Sequence, residues 1–262
     1  GRARVSADQI VVATGAHPVI PDVVREGDVP WYTSDDIMRL DELPQTMAIL
    51  GGGYIAAEFA HVFSALGVRV TLVVRGPRLL RHLDEEISQA FTDVAVRAWD
   101  VRLGRVATHV GPRDGSGVRL TLDDSSYVDA DLLLVATGRA PSTDDLGLEQ
   151  AGIQRHDDGR IVVDEHGRTS APGVWALGDC CSSYQLKHVA NHEARVVAHN
   201  LAHPGDLRSF DHREVPAAVF THPQIASVGA TQQELEAAGR AFVSKTQRYG
   251  DTAYGWALED EV

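Results

Sequence analysis

Cysteine is scarce in this chain, and its placement excludes a domain stabilised by several disulfides. Only two cysteines occur among 262 residues, side by side at Cys180 and Cys181. Neighbouring cysteines bridge each other only with strained geometry, so they provide no disulfide framework. This usage is typical of proteins in a reducing compartment. We therefore expect a cytoplasmic protein in which both cysteines are small buried or edge residues without a redox role.

Long apolar runs and an excess of basic charge are also missing. No stretch approaches the roughly 20 apolar residues that a membrane-spanning helix needs. The net charge is −13, whereas a nucleic-acid-binding surface needs an excess of positive charge. Residues 1–5 lack both the apolar core of a signal peptide and an initiator methionine. We expect a chain that begins within a longer protein and binds neither membranes nor nucleic acids.

The remaining composition is that of an ordinary globular protein, with 44% hydrophobic and 23% charged residues. A chain of this length can bury a large core and can form two domains. The residue types alone therefore leave the function open, and the local patterns have to decide it.

A βαβ unit is predicted near the first third of the chain. Two apolar runs, 46–50 and 68–74, predict strands on either side of an apolar helix, and the first turn contains Gly51, Gly53 and Ala56 in a G-x-G-x-x-A pattern. In a dinucleotide-binding turn these residues permit the tight turn, the approach of a pyrophosphate and close packing of the helix on its strand. A glycine-rich loop before an ordinary helix is the alternative. The flanking strands favour a dinucleotide site.

The end of the second predicted strand has arginine where an NAD site has a carboxylate. Arg75, Arg78 and Arg81 fall within seven residues, and the first carboxylate after this strand is Asp84. The guanidinium group offers planar, charged donors that suit a 2′-phosphate. A solvated basic turn is the alternative, but the cluster stands out in a chain of net charge −13. The pattern favours NADPH over NADH.

Two apolar segments end in the same way, which suggests two nucleotide-binding sheets. Residues 8–15 and 130–138 both predict buried strands that finish in Ala-Thr-Gly, although coincidence is the alternative. Further elements predicted from periodicity and turn residues are a short helix from a Ser34-Asp35-Asp36 cap to Leu40, helices at 59–66, 84–99 (with apolar Ile87, Ala90, Phe91, Val94 and Ala98) and 186–201, and strands within 101–122 and at 159–164, 173–179 and from 215.

The strand at 173–179 places a carboxylate just beyond a sheet. Asp179 could accept hydrogen bonds from a sugar or ribityl hydroxyl at the carboxyl edge of that sheet. A turn-forming role is equally consistent, since Gly-Asp is a common turn pair.

A metal site is the rival interpretation of the residues that follow. Cys180, Cys181, His188 and His192 include soft ligands, and the two histidines have helical i, i+4 spacing. The histidines continue at 199 and 203, which indicates a histidine-rich helix rather than a ligand set. We predict no metal.

Five motifs, in order, resemble those of the flavin-dependent pyridine nucleotide–disulfide oxidoreductases. They are Ala13-Thr14-Gly15, the stretch from Gly51 to Glu58, Ala136-Thr137-Gly138-Arg139-Ala140-Pro141, Ala176-Leu177-Gly178-Asp179, and Phe220-Thr221-His222-Pro223 with Val228-Gly229. Within that family, residues 185–194 and 249–256 resemble the mycothione reductases. Glutathione reductases, dihydrolipoamide dehydrogenases and soluble transhydrogenases remain alternatives, although the arginines count against members that use NAD.

The resemblance implies an α/β fold with two Rossmann-like nucleotide-binding domains, of which the FAD domain is incomplete, followed by the start of an α+β dimer-interface domain. The implied segments are the end of the first FAD segment and a crossover at 1–30, the NAD(P) domain at 31–140, the second FAD segment at 141–212 and the beginning of the interface domain at 213–262.

The resemblance also implies cofactor contacts. NADPH would contact Gly51, Gly53, Tyr54, Ile55 and Glu58, with Arg75 and Arg81 on its 2′-phosphate. Tyr54 would shield the flavin until the nicotinamide displaces it. The start of the predicted helix at 186–201 would direct backbone N–H groups at the flavin pyrimidine ring. The implied contacts of the FAD region are Thr14, Gly15, Gly138, Arg139, Gly178, Asp179, Leu186, Lys187 and His188.

The implied activity is hydride transfer from NADPH to FAD, then to a redox disulfide and on to a low-molecular-weight disulfide, in a homodimer. The family's N-terminal FAD fingerprint, Cys-x-x-x-x-Cys pair and His-Pro-x-x-x-Glu segment do not occur in these 262 residues. We therefore predict no catalytic residue here, no lysine partner for Glu58, and an internal fragment that alone is inactive and binds FAD weakly. A non-catalytic nucleotide-binding module is the alternative if the chain is complete.

Overall fold

The structure, a computed structural model, describes residues 5–259. They form two compact units, which we describe separately. Unit A consists of residues 5–19 and 138–217, and unit B consists of residues 20–137 and 218–259. The predicted N-terminal features at residues 1–4 lie outside the described residues.

The strands and helices follow each other along the chain in this order: β1 (Ile10–Val12), β2 (Ala16–Pro18), α1 (Asp22–Arg25), β3 (Thr46–Leu50), α2 (Tyr54–Ala65), β4 (Arg69–Val74), α3 (Glu85–Ala98), β5 (Asp100–Leu103), β6 (Ala107–Pro112), β7 (Val118–Leu122), β8 (Tyr127–Ala130), β9 (Leu132–Val135), β10 (Arg139–Pro141), β11 (Val174–Ala176), α4 (Lys187–Ala202), β12 (Pro216–Val219), β13 (Ile225–Val228), α5 (Gln232–Ala237) and α6 (Ala253–Ala257).

Unit B is built on a parallel sheet with strand order β5-β4-β3-β9. The central strand β3 is almost wholly buried, and its last residue, Leu50, lies opposite Val73 of β4 and Val135 of β9. The predicted βαβ unit is therefore confirmed. The helix begins at Tyr54, five residues earlier than predicted, because the extended backbone of Gly53 lets the helix start directly at the turn.

An antiparallel meander, β6-β7-β8, adds a second layer of apolar side chains to unit B. It confirms the strands predicted within 101–122, with the reversal between β6 and β7. Gly117 has φ +92°, and a Cβ there would lie 2.3 Å from the carbonyl oxygen of Ala130. Only glycine fits this approach without a shift of the backbone.

Helix α3 confirms the element predicted at 84–99 but buries a different face. Ile87 is 42% exposed, whereas Ser88 and Thr92 are buried with Phe91. The hydroxyl of Ser88 donates to the carbonyl of Leu79 at 2.6 Å, and that of Thr92 accepts from the Leu79 amide at 3.0 Å. Because these hydroxyls satisfy the loop backbone, two polar residues replace apolar ones on the buried face.

Unit A contains two small sheets, β1 parallel to β11 and β2 antiparallel to β10. The strand predicted at 8–15 is shorter and more exposed than expected. Ile10 is 50% and Val11 41% exposed, since β11 is the one strand bonded to β1 among residues 5–259. The two Ala-Thr-Gly segments follow β1 in unit A and β9 in unit B, so the prediction that they leave two different sheets is confirmed.

Two predicted elements are wrong. Residues 159–164 do not form a strand. Ile161 and Val163 each make only a single isolated bridge, to Arg155 and Thr169. The helix predicted from 34 to 40 is a single 3₁₀ turn at Ile37–Arg39. The carboxylate of Asp36 accepts instead from the amide of Thr33, at 2.7 Å, and does not cap a helix.

The remaining predicted helix is confirmed as α4, whose N-cap is Leu186. The strand predicted after residue 215 is β12, which pairs with β13. Within residues 5–259 we find no helix with both the length and the apolar character needed to cross a membrane.

Candidate nucleotide-binding sites

The glycine turn of unit B leaves room for a phosphate. Gly51 has φ +137°, and a Cβ there would lie 2.1 Å from the carbonyl oxygen of Ala136. Its amide donates to the carbonyl of Val73 at 3.0 Å, which fixes the turn between the ends of β3, β4 and β9. A Cβ at Gly53 would instead meet no atom within 4 Å. The turn is therefore tight at Gly51 and open at Gly53, as a bound pyrophosphate requires.

Helix α2 presents its N-terminus at this opening. Ala56 and Ala57 are fully buried, so the helix lies close to the sheet, while Tyr54 and Ile55 are half-buried in its first turn. The first N–H groups of a helix lie outside its internal hydrogen bonds, and they and the positive end of the helix dipole favour an anion at such a position.

The loop after β4 lies against the same turn. The amide of Leu80 donates to the carbonyl of Gly52 at 2.7 Å. Arg75 and Arg81 are exposed, and the Arg81 side chain passes so close to Gly76 that a Cβ there would meet its Cδ at 3.0 Å. The structure thus brings both predicted phosphate-binding arginines to one loop beside the glycine turn.

Arg78, in the same loop, has a different role. Its Nη2 lies 2.6 Å from a carboxylate oxygen of Glu85, at the start of α3. This ion pair engages the guanidinium, whereas Arg75 and Arg81 face solvent.

The predicted contacts Tyr54 and Glu58 have partners within unit B. The Tyr54 ring meets the ring of His82 edge-on, with centroids 6.3 Å apart. Glu58 Oε1 accepts from the backbone amide of Phe220 at 2.9 Å. The carboxylate expected to lack its lysine therefore binds the chain just after β12.

In unit A, the residues predicted to contact FAD converge at the ends of β1, β2 and β10. Nη2 of Arg139 donates to the carbonyl of Ala16 at 2.6 Å, and the amide of Ser142 donates to the carbonyl of Gly15 at 2.8 Å. The amide of Val19 donates to the carbonyl of Gly138 at 2.9 Å. Thr14 itself is exposed in the turn after β1.

Asp179 lies in a 3₁₀ turn just beyond β11, as predicted. The amide of Leu177 donates to the carbonyl of Val12 at 3.1 Å, so this turn sits beside the end of β1. Burial raises the pKa of the Asp179 carboxyl, the negative charge of Glu193 raises it further, and the Arg139 guanidinium opposes both. The carboxylate is half-buried at a position that can accept hydrogen bonds.

Helix α4 starts beside these residues. The side-chain amide of Gln185 approaches the carbonyl of Arg139 at 3.4 Å, immediately before the Leu186 N-cap. Lys187 and His188 are exposed in the first turn, and Nε2 of His188 lies 2.8 Å from the carbonyl of Pro216.

The two cysteines are free thiols inside the apolar core of unit A. The Cys181 thiol and groups of Thr14 and Gly15 lower the pKa of Cys180 to about 6, although burial opposes them. The hydrogen bond with the Cys180 thiol, together with burial, raises the pKa of Cys181 far above its ordinary range. His188 and His192 line a separate cleft with residues 211–216. Within residues 5–259 we find no cluster of three histidine, cysteine or carboxylate side chains able to hold a metal ion.

Sequence reasoning missed Glu193 as a contact of the Asp179 turn. This residue is fully buried, and its Oε2 accepts from the amide of Gly178 at 2.6 Å. The available signal was periodicity, since Glu193 lies four residues from Val189 and from Val197, which both belong to the buried face of α4.

Replacing Asp179 with asparagine is expected to stabilise the protein without bound ligands at pH 7. The folded-state pKa of this carboxyl is raised, so its ionised form opposes folding above that pKa. As the pH falls towards the ordinary aspartate pKa of about 4, the carboxyl becomes neutral and the difference disappears. Calorimetric Tm values of wild type and variant should therefore differ at pH 7 and converge on acidification. A Tm difference independent of pH, or equal to that of the exposed control D157N, would contradict this account.

The pyridine nucleotide-disulphide oxidoreductase family matches residues 1–194, and its dimerisation domain matches residues 215–261. The mycothione reductase of Mycobacterium tuberculosis is 56% identical over 97% of this chain. The glutathione reductase of Burkholderia cepacia is 41% identical over 95% of it. The chain spans 56% and 54% of the length of these two relatives.

Solved structures also match nearly the whole of this chain. LpdA from Mycobacterium tuberculosis superposes with a TM-score of 0.82 at 31% identity, covering 97% of this chain and 55% of that protein. The flavoprotein disulfide reductase RclA from Escherichia coli, in a Cu(II) complex, superposes with a TM-score of 0.84 at 28% identity, covering 97% and 57%. The motifs, the α/β architecture and these matches together establish that the chain belongs to the pyridine nucleotide–disulphide oxidoreductase family.

Proposed function

We propose that the protein carrying this chain is an NADPH-dependent FAD flavoprotein that reduces a low-molecular-weight disulfide, mycothione. The observation that carries the NADPH assignment is the loop of unit B. There, exposed Arg75 and Arg81 lie beside a glycine turn with open space at Gly53. The side chains supply two planar cationic donors where an NAD site needs an acceptor for a ribose hydroxyl.

Unit A would hold FAD through the residues at the strand ends. Asp179 would accept hydrogen bonds from ribityl or ribose hydroxyls, and the turns at Thr14-Gly15 and Gly138-Arg139 would pack on the cofactor. A Cβ at Gly15 or Gly138 would meet no atom within 4 Å, so these turns have the open surface that such packing needs. The first amides of α4, after Leu186, would donate to an anionic group.

When bound, the flavin supplies the chemistry of accepting a hydride from NADPH and passing two electrons towards a disulfide. The residues of this chain would bind and orient the two nucleotides. In unit B, Tyr54, Ile55 and Glu58 belong to the first two turns of α2, which follow the open glycine turn. They would position the reduced nicotinamide half of the dinucleotide.

Mycothione is the substrate we favour. Over the aligned residues, the relative named mycothione reductase is 56% identical to this chain and the relative named glutathione reductase is 41% identical. The runs at 185–194 and 249–256 support the same choice.

We further propose a cytoplasmic homodimer in which residues 213–262 begin the interface, after an NAD(P) segment at 31–140 and FAD segments at 1–30 and 141–212. The match of the family's dimerisation domain at 215–261 supports this proposal. So do large exposed apolar side chains in that region, with Phe220 67%, Val228 63% and Trp256 79% exposed.

The proposal is tested by steady-state reduction of mycothione by the full natural protein with NADPH. We expect kcat/KM for mycothione to exceed that for glutathione disulfide by about 100-fold, because a site that binds the polar groups of one disulfide leaves them unpaired with another. Equal values for the two disulfides would contradict the mycothione assignment. Absence of disulfide-dependent NADPH oxidation would contradict the reductase assignment.

A further inference from the structure

A buried carboxylate on α4 is bonded to the turn that presents Asp179. Glu193 has no solvent-exposed surface, and its Oε2 accepts from the backbone amide of Gly178 at 2.6 Å. The carboxylate thus fixes the peptide group that precedes Asp179.

The conformation held in this way is unusual. Gly178 has φ +73°, in the left-handed region, and its carbonyl oxygen accepts from the amides of Cys181 and Ser182 at 2.9 and 2.8 Å. A flexible glycine in such a turn has many other conformations available. Both the N–H and the C=O of Gly178 are therefore hydrogen-bonded. These backbone contacts fix the turn and with it the direction of the Asp179 side chain.

The second carboxylate oxygen of Glu193 faces His212. The distance from Oε1 to Nε2 of His212 is 2.8 Å, but the contact is not aligned as a hydrogen bond, and neither atom has another hydrogen-bond partner among residues 5–259. The imidazole lies between Tyr184 and Phe210, with ring centroids 5.4 and 5.6 Å away. The imidazole thus lies against one oxygen of the carboxylate while the Gly178 amide binds the other.

Burial of this carboxylate lowers the stability of the fold relative to an apolar residue at the same position. It is surrounded on its helix face by Val189, Val196 and Val197, where an apolar side chain would pack without desolvation of a charge. Its negative charge also acts on the carboxyl of Asp179. The hydrogen bond to Gly178 and the approach to His212 are the contacts that distinguish Glu193 from an apolar residue of the same size.

We propose that Glu193 is a positioning residue for flavin binding, which holds the Gly178–Asp179 turn in the conformation that presents the Asp179 carboxylate to a ribityl or ribose hydroxyl. This inference rests on the proposed binding of FAD in unit A. Glu193 does not itself contact the cofactor and acts through the Gly178 amide.

The test compares E193Q and E193M in the full natural protein, by the Kd for FAD after reconstitution and by hydrogen exchange of the Gly178 amide. The glutamine retains an oxygen that can accept from Gly178, so both quantities should stay within about threefold of wild type. The methionine fills the same volume but leaves the amide buried and unpaired. We expect FAD binding at least about tenfold weaker and Gly178 exchange at least about tenfold faster.

A control on the same helix separates positioning from general loss of stability. Asn200 is buried and bonds to the backbone of His166 and Arg208, away from the Gly178 turn. N200L should lower Tm but leave the FAD Kd of the folded protein unchanged. If E193M does not fold, E193D replaces it, because its shorter side chain cannot reach Gly178 and should weaken FAD to a similar extent.

Two results would overturn the inference. One is a folded E193M or E193D protein with wild-type affinity for FAD and wild-type exchange at Gly178. The other is an E193Q protein as impaired as E193M, since that would assign the effect to the charge and not to the bond. A wild-type protein that binds no FAD would instead contradict the proposed function, while exchange at Gly178 would still show whether Glu193 fixes the turn.

Discussion

Replacing both Arg75 and Arg81 with alanine is expected to weaken NADPH binding by about 100-fold, because in the proposed function each guanidinium would supply a charged hydrogen bond worth about 1.5 kcal/mol or more to the 2′-phosphate. NADH lacks that phosphate, so its affinity should change by less than about threefold. Both side chains are exposed, so their replacement should leave the fold intact. Isothermal titration with the two dinucleotides measures the ratio directly.

Arg78 provides the matched control for this double variant. It lies in the same loop and has the same charge, but its guanidinium is paired with Glu85. R78Q should leave the ratio of NADPH to NADH affinity within about threefold of wild type. An equal loss of both dinucleotides in the R75A/R81A protein would remove the 2′-phosphate assignment.

Replacing Gly51 with alanine is expected to destabilise the fold by about 3 kcal/mol or more, because the new Cβ collides with backbone and the residue must keep a positive φ. That Cβ would lie 2.1 Å from the carbonyl oxygen of Ala136. The oxygen belongs to the chain after β9, so relief would require the parallel sheet to separate. Denaturant unfolding followed by circular dichroism measures the loss.

Gly53 is the control for Gly51, two residues along the same turn. A Cβ at Gly53 meets no atom within 4 Å, and its φ of −86° suits alanine. G53A should therefore change the unfolding free energy by less than about 0.5 kcal/mol. The methyl group would still occupy the space through which a pyrophosphate approaches, so NADPH should bind at least about tenfold more weakly. A G51A protein as stable as G53A would contradict the geometry of this turn.

The sequence predicted the structure best where a local residue pattern also reflects what the backbone requires, as in a glycine turn between a strand and a helix. The run from β3 to β4 could be predicted because apolar strands, a glycine turn and a helix occur in an order that few other structures share. The start of α2 was misplaced because residues 54–58 form too short a run to show helical apolar periodicity. The face of α3 was misjudged because Ser88 and Thr92 are buried by bonds to Leu79, a contact that periodicity does not contain.

The same distinction applies to the candidate sites. The positions of Gly51, Arg75 and Asp179 near strand ends could be predicted from the apolar runs that precede them. Gly51 and Arg75 directly follow β3 and β4, and Asp179 lies three residues after β11. The contacts of Glu193 with Gly178 and of Glu58 with Phe220 join residues 15 and 162 positions apart. Such contacts depend on how helices pack against loops, and a single sequence does not specify that packing.

Anaerobic reduction of the bound flavin by NADPH and by NADH tests both the proposed hydride transfer to FAD and its preference for NADPH. The experiment uses the full natural protein and follows the flavin absorption band. We expect bound FAD to be reduced by both dinucleotides, with half-maximal rate at an NADPH concentration at least about tenfold below that of NADH. A protein that holds no flavin, or one whose flavin is reduced equally well by NADH, would contradict the proposed function.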